Sequence, residues 1–167
     1  MKYKSINELN TFEFHDALIK DISFNHNEII ILVSELNATT DNSQNTDTVD
    51  LCIEEAELTF LNAKITKIEF SGWVTYDSHH NLIEKVEPRQ VDNADFFEIV
   101  QKTKECGWAY FQSMESVQKQ DDKFTVCFYI DGGAGTYYMT MEYSCASVTW
   151  NSYSGAAWYE MPPFKKI

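Results

Sequence analysis

The segment 123–150 constrains the fold more than any other, because two long apolar stretches flank a glycine-rich turn there. Side chains alternate between the two faces of a β-strand, so each stretch can be divided into faces. One face of the first stretch carries four apolar side chains: Phe124, Val126, Phe128 and Ile130. One face of the second carries five: Tyr137, Met139, Met141, Tyr143 and Cys145. The opposite faces are mixed, which predicts an antiparallel hairpin with one side on the core.

The turn of this hairpin has the sequence DGGAG, residues 131–135. We expect pairing to begin at Ile130 and Thr136, which gives a loop of about five residues, and the glycines to supply positive φ angles. A phosphate-binding loop would need a Lys-Ser/Thr pair and a helix after the glycines. A strand begins at Thr136 instead, so the glycines indicate a chain reversal.

A second hairpin is predicted over residues 18–36, whose later part is a nearly continuous apolar run. Residues 37–48 are polar and lack periodicity, which predicts an exposed, mobile loop. In the strand that follows, the apolar side chains change parity at residues 54–55. That change indicates an irregularity there, most simply a β-bulge.

One amphipathic helix is predicted near 94–106. Its buried stripe is formed by residues at i, i+3, i+4 and i+7: Phe96, Ile99, Val100 and Thr103. Asn93 is the predicted N-cap, and Gly107 suits the position after the C-terminus. A capping-box pattern also predicts a short helical turn near 5–10.

Together these elements predict an α+β fold, mainly antiparallel β-sheet of eight to ten strands, strongly bent or two-layered, with one main helix. A length of 167 residues fits a single domain. A subdivision is conceivable near 87–93, between a β-rich half, 1–86, and a half with the helix and the hairpin, 94–167.

The charge is negative and unevenly distributed. The net charge is −13, and residues 1–60 hold twelve acidic residues against three lysines. Such a field repels nucleic acid and anionic lipid and can steer a basic protein partner. The same acidity could serve only solubility. No apolar run is long enough to span a bilayer, and residues 1–10 have no signal-peptide pattern, so no membrane partner is expected.

The four cysteines have no metal-binding or disulfide pattern. They stand at Cys52, Cys106, Cys127 and Cys145, with no C-x-x-C pair. We interpret them as small buried hydrophobic residues in a reducing compartment, which predicts a cytoplasmic protein without a cofactor.

Phe14-His15-Asp16-Ala17 is the first candidate site. A His-Asp pair can bind metal, but in an extended segment the two side chains point to opposite faces and cannot share a ligand without a kink. The alternative is a strand entry in which Asp16 caps a turn and His15 makes one hydrogen bond.

The pattern F-x-F-H-D-A, residues 12–17, followed by a hairpin, resembles small uncharacterised bacterial proteins. Some of these are immunity proteins, which neutralise toxins from competing cells. The resemblance covers residues 12–36. It implies a protein-binding role and transfers no catalytic residue.

Asp77, His79 and His80 form the second candidate site, in a turn that follows a strand predicted over 68–76 with Gly72 in its middle. Two neighbouring histidines and a carboxylate could bind a metal ion. An exposed polar turn explains the same residues, and no metal site is assigned.

The third candidate is an aromatic group near the C-terminus: Trp150, Tyr153, Trp158, Tyr159 and Phe164. Tryptophan and tyrosine dominate binding hot spots, so these rings could bind a sugar or a peptide. They could equally close the end of the sheet.

Two functional classes remain. The first is a non-enzymatic cytosolic binding protein, including an immunity-type inhibitor of a basic protein partner. The second is a small metal-dependent or hydrolytic enzyme that uses His15 and Asp16, or the histidine-rich turn at 77–80.

Overall fold

A computed structural model describes residues 1–160 and, except for Ser116, their side chains. Phe164 of the predicted aromatic group therefore lies outside the described residues. Within that range the chain forms fourteen strands and one α-helix. The strands are β1 (Tyr3–Ile6), β2 (Phe12–Glu13), β3 (Leu18–Asn25), β4 (Glu28–Ala38), β5 (Leu51–Leu61), β6 (Lys64–Phe70), β7 (Trp73–Tyr76), β8 (Leu82–Val86), β9 (Arg89–Gln90), β10 (Tyr110–Gln120), β11 (Lys123–Gly132), β12 (Gly135–Tyr143), β13 (Cys145–Trp150) and β14 (Tyr153–Ala156), and the helix is α1 (Phe96–Glu105).

Twelve strands form one antiparallel sheet in the order β1-β13-β5-β4-β3-β10-β11-β12-β6-β9, with β2 also pairing β4 and β14 also pairing β5. The remaining two, β7 and β8, form a separate hairpin. The predicted α+β class, mainly antiparallel, is confirmed. The predicted number of strands was too low, because several strands have only two to four residues and two predicted strands are each divided in two.

The sheet bends back on itself around one core. Phe60 on β5 contacts Phe128 on β11, with ring centroids 6.1 Å apart, and Tyr143 at the end of β12, at 5.2 Å. These strands are not neighbours in the sheet, so their faces meet only because the sheet is strongly bent. The buried cluster includes residues from both sides of the proposed boundary at 87–93.

Ser144 divides the second strand of the central hairpin into two. It separates β12 from β13, which pairs with β5 instead of β11. Its backbone N–H donates to the Leu61 carbonyl oxygen at 2.9 Å. Burial changes parity at this point, from Tyr143 to Ala146. The prediction that Cys145 faces the core was therefore wrong, because this cysteine lies on the opposite, half-buried side.

The turn of the central hairpin is tighter than predicted. Pairing continues to Gly132 opposite Gly135, which leaves two residues between the strands. Of the three glycines only Gly135 has a positive φ, 110°. Gly133 is required for space instead, since a Cβ there would lie 2.5 Å from the carbonyl oxygen of Lys102 and 2.6 Å from the Cβ of Cys106. The turn therefore packs directly against the end of α1.

The helix confirms most of its predicted features. Its four predicted stripe residues are all buried, and Gly107 follows the helix with a φ of 74°. Asn93 is not the N-cap, because a 3-10 turn, Asn93–Asp95, precedes the helix and places Asp95 at that position. Within residues 1–160 no helix has the length and apolar character needed to cross a bilayer.

The predicted irregularity in β5 is present and is matched on its neighbour. Burial changes parity between Ile53 and Ala56, and Glu35 on β4 has a φ of 63° at the same level. The register of the two strands is the same on both sides, so the predicted β-bulge against β4 was wrong. The prediction of one continuous strand over 68–76 was wrong. The segment is divided at Gly72 into the end of β6 and β7, and a Cβ at Gly72 would lie 2.4 Å from the Val86 carbonyl oxygen.

The first helical turn also differs from the prediction. Ser5 lies in β1, and the only helical turn in this part of the described chain is a 3-10 turn, Leu9–Thr11. The Ser5 hydroxyl still donates to Glu8 at 2.6 Å. The two residues are therefore in contact, but through their side chains and not through the backbone N–H groups that a capping box uses.

We expect Gly133→Ala to destabilise the protein by about 1–3 kcal/mol, because a methyl group would overlap the end of α1. Gly107→Ala should cost about 1 kcal/mol for a different reason, its left-handed backbone. Urea denaturation of both variants provides the measurement.

Replacement by asparagine distinguishes the two causes. Gly107→Asn should be milder than Gly107→Ala, since asparagine tolerates a positive φ. Gly133→Asn should be worse than Gly133→Ala, because it is larger. An equal cost of alanine and asparagine at Gly133 would show that the turn is not packed against the helix.

Tyr137 predicts a loss of stability at alkaline pH. Burial raises the pKa of its hydroxyl to about 12, although a 2.7 Å hydrogen bond with the Thr103 hydroxyl opposes this rise. The unfolded chain loses the proton near pH 10, so this contribution, about 2–3 kcal/mol, should be complete below pH 10 and lost towards pH 12. In urea denaturation at several pH values, Tyr137→Phe should fall less steeply than wild type over this interval. Parallel pH profiles would contradict the assignment.

Candidate functional site

The F-H-D-A segment is a turn held by its two outer residues. Phe14 and Ala17 are buried, at 1% and 0% exposure. The Ala17 N–H donates to the Phe14 carbonyl oxygen at 2.9 Å, and the Asp16 N–H donates to that of Phe111 at 2.9 Å. The Phe14 ring packs against Phe111 and Phe128, both at 5.4 Å. Core packing therefore leaves His15 and Asp16 on the surface.

His15 and Asp16 lie closer together than expected. Asp16 has a φ of 67°, which supplies the kink that an extended segment lacks. His15 Nε2 therefore lies 3.5 Å from an Asp16 carboxylate oxygen, which corrects the prediction of opposite faces. Nδ1 lies 2.8 Å from the carbonyl oxygen of Gln112 and, since a carbonyl only accepts, carries the proton. A true ion pair with Asp16 thus requires the protonated ring.

The loop after β4 forms one wall beside this turn. Most of residues 39–48 are exposed, as predicted, but two side chains of the loop, Asn42 and Asn45, are buried. The Asn42 amide donates to the Thr11 hydroxyl at 2.7 Å, and that of Asn45 donates to the carbonyl oxygens of Ala38 and Val49, both at 3.0 Å. Asparagine side chains thus replace an apolar core in this loop.

Glu8 lies between β1 and the 3-10 turn, and its side chain contacts the same loop. Its carboxylate accepts hydrogen bonds from the Ser5 hydroxyl at 2.6 Å and the Ser43 hydroxyl at 2.8 Å. Burial raises the pKa of Glu8, but these hydrogen bonds outweigh it and hold the pKa below its usual range. The carboxylate is thus a fixed negative charge that holds the loop in place.

Asp50 connects this loop to the C-terminal segment. One carboxylate oxygen accepts from the Thr40 N–H at 2.8 Å, and the other accepts from the Tyr159 hydroxyl at 2.9 Å. The Ala157 N–H donates to the Asp50 carbonyl oxygen at 2.8 Å. These contacts place Trp158 and Tyr159 opposite the His15 turn.

The three segments enclose an open cleft of about 640 Å³. Its lining combines aromatic rings with carboxylates: Glu13, His15, Thr39, Asp50, Gln112, Trp158 and Tyr159. Trp158 is 62% exposed. Burial, the hydrogen bond and charge of Asp50, and the charges of Glu13 and Glu160 all raise the pKa of Tyr159. We call this feature the acidic aromatic cleft.

The predicted aromatic group does not form one surface. Trp150 is completely buried, and Tyr3 stacks on it at 5.4 Å. Tyr153 is half-buried against both rings, at 5.1 and 5.8 Å. These two predicted binding residues therefore close the core, whereas Trp158 and Tyr159 lie on the surface. The sequence did not indicate Glu13 or Asp50 as site residues, because a single acidic residue in a polar segment matches no functional pattern.

The second candidate site is an ordinary turn. The Asp77 carboxylate accepts from the backbone N–H groups of His79 and Asn81, both at 2.8 Å, and from the Asn81 amide at 3.0 Å. The Asn81 hydrogen bonds hold the pKa of Asp77 below its usual range. Among residues 1–160 no three His, Cys, Asp or Glu side chains are placed to hold a metal ion. The hydrogen bonds of the Asp77 carboxylate therefore stabilise the turn itself and do not form a site with His80.

All four cysteines are free and half-buried. The interpretation as buried residues was therefore too strong, because Cys127 and Cys145 lie on outward faces of their strands. Burial is the main cause that raises the pKa of the Cys127 thiol, so it is held as the less reactive neutral form.

No protein-family model matches the chain, and neither a curated protein nor a solved structure matches it significantly. The resemblance of residues 12–36 to small bacterial proteins therefore stays a prediction.

We expect Phe14→Ala to destabilise the protein by about 3–5 kcal/mol, because it removes a ring from the aromatic core. His15→Ala, at the neighbouring exposed position, should change stability by less than about 0.5 kcal/mol. Urea denaturation of the two variants tests whether core packing creates the turn. A large loss with His15→Ala would show that its hydrogen bond to Gln112 holds the turn instead.

Proposed function

We propose that this chain is a non-enzymatic binding protein whose acidic aromatic cleft takes a lysine or arginine side chain of a basic protein partner. The observation that carries the proposal is that two carboxylates, Glu13 and Asp50, line the same cleft as the exposed Trp158. A cation over an indole ring gains about 0.5–2 kcal/mol, and nearby carboxylates increase that gain.

The charges of the cleft are available to such a partner. Five lysines within residues 1–160 pair with carboxylates, and all of these carboxylates lie outside the cleft. Glu13, Asp16 and Asp50 have no lysine or arginine partner among the residues described. A ligand cation would therefore displace no lysine or arginine of residues 1–160.

The charge distribution favours the same partner. Most of the negative charge lies in residues 1–60, which also supply Glu13, Asp16 and Asp50. A field of this sign speeds encounter with a basic surface and repels nucleic acid and anionic membranes, so neither is proposed as a partner.

An immunity-type inhibitor in the bacterial cytoplasm is the specific form of this proposal. It is supported by the resemblance of residues 12–36, by four unpaired cysteines, and by a cleft suited to a basic protein. The metal-dependent enzymatic alternative has less support, because His15 and Asp16 have no third metal-binding side chain placed beside them within residues 1–160.

Nuclear magnetic resonance with an arginine-containing peptide, Ac-Gly-Arg-Gly-Arg-Gly-NH2, tests the cleft directly. We expect the Trp158 indole resonance to shift on titration. Trp158→Ala should weaken binding about fivefold or more. Raising the salt from about 50 to about 500 mM should also weaken it, because exposed charges become screened.

A matched pair of double variants separates the cleft from the overall field. Glu13→Gln/Asp16→Asn removes the charge of Glu13, which lines the cleft, and that of Asp16, which lies next to the lining residue His15, and it keeps oxygen acceptors at both positions. Glu54→Gln/Glu55→Gln removes two charges from exposed positions on β5. The first pair should weaken binding about fivefold more than the second. Equal weakening by the two pairs, or peptide shifts that avoid Trp158, would overturn the proposal.

A further inference from the structure

A second pocket lies at the base of the β7–β8 hairpin and shares no residue with the acidic aromatic cleft. Its volume is about 370 Å³, and most of its lining is apolar. It lies between the sheet edge, the hairpin and the central turn, and is lined by Phe70, Ser71, Trp73, Val86, Glu87, Arg89, Ala134, Gly135 and Thr136. Trp73 and Val86 are a cross-strand pair and form one side of the pocket.

The chain's single arginine lies at this pocket. The Arg89 guanidinium lies over the Phe70 ring, with its central carbon 5.2 Å from the ring centroid. A cation–π contact of this kind leaves the positive charge in place, because an aromatic ring does not neutralise it. Both residues line the pocket, so the charge lies at its edge.

No carboxylate within residues 1–160 pairs with Arg89. The acidic residue of the pocket, Glu87, instead contacts Lys85 at 2.5 Å. The other lining side chains are apolar or carry hydroxyl groups, and the Ser71 hydroxyl donates to the Thr136 carbonyl oxygen at 3.1 Å. In a chain with a net charge of −13, this pocket therefore combines an apolar lining with a positive charge, the combination that suits an apolar group next to a carboxylate.

We propose that this pocket binds an apolar side chain with a carboxylate next to it. The apolar group would lie against Trp73, Val86 and Phe70, and the carboxylate would accept hydrogen bonds from Arg89. The ligand would thus match the pocket in charge and in apolar surface. The apolar surface is larger than the pocket itself, because the hairpin has further exposed apolar residues beyond it. These are Val74, Tyr76, Leu82 and Ile83.

That extended apolar surface favours a polypeptide segment as the source of the ligand. Trp73 is 53% exposed, and an isolated two-stranded hairpin is only marginally stable in water. A bound segment would cover the hairpin and stabilise it. The carboxylate could be a chain terminus or an acidic side chain, since both present the same group to Arg89.

Nuclear magnetic resonance of the full chain with three probes tests the site. N-acetylphenylalanine represents a chain terminus, Ac-Glu-Phe-NH2 represents an acidic side chain, and N-acetylphenylalaninamide lacks the charge. We expect at least one charged probe to shift the Trp73 indole and Arg89 Nε–H resonances. It should bind about tenfold more tightly than the amide.

Substitutions assign the effect to the guanidinium. Arg89→Gln should abolish the preference for the charged probe, and Arg89→Lys should restore it only in part, because lysine cannot stack or bond in a fork. Lys123→Gln removes one positive charge at an exposed distant pair and should leave binding unchanged. Equal binding of the charged probes and the amide would overturn the proposal, as would an unchanged preference in Arg89→Gln. Because the cleft variants Trp158→Ala and Glu13→Gln/Asp16→Asn should not affect these probes, failure here is independent of the proposed function.

Discussion

Packing between aromatic rings on opposite arms of the sheet is the interaction on which the rest of the structure depends. Phe60 meets Phe128 and Tyr143, and Phe14 meets Phe111 and Phe128, so two arms that are far apart in strand order share one core. Burying such rings supplies most of the free energy that opposes chain entropy, and their edge-to-face geometry adds to it. The bend that brings the rings together also brings the N-terminal turn and the C-terminal segment to one side of the molecule.

Both candidate sites follow from this arrangement. The acidic aromatic cleft combines residues from the start, the first loop and the end of the described chain, and each is held by backbone hydrogen bonds to a neighbouring segment. The Arg89 pocket lies at one end of the strand order, where β9 is an edge of the sheet. A chain with a net charge of −13 thus has two pockets with different linings, one with carboxylates and aromatic rings and the other largely apolar beside an arginine.

The fold was largely predictable, because alternation of apolar residues over Phe124–Ile130 and Tyr137–Tyr143 is a local property of the sequence. The division at Ser144 was not, since whether β13 continues along β11 or pairs with β5 is decided by tertiary packing. Similarly, His15 and Trp158 were both selected from sequence, but as members of separate groups. They line the same cleft because the Asp16 backbone is left-handed and because Asp50 holds the C-terminal segment in place. No local sequence pattern indicates either feature.

The β7–β8 hairpin has a consequence for how the molecule can vary. β7 and β8 pair only with each other, and none of their side chains belongs to the buried cluster. The hairpin can therefore open, or exchange its amide hydrogens, without unfolding of the whole chain. For the same reason, changes in the length or composition of the hairpin should leave the twelve-stranded sheet intact. The sequence of the hairpin is thus free to vary while the sheet is conserved.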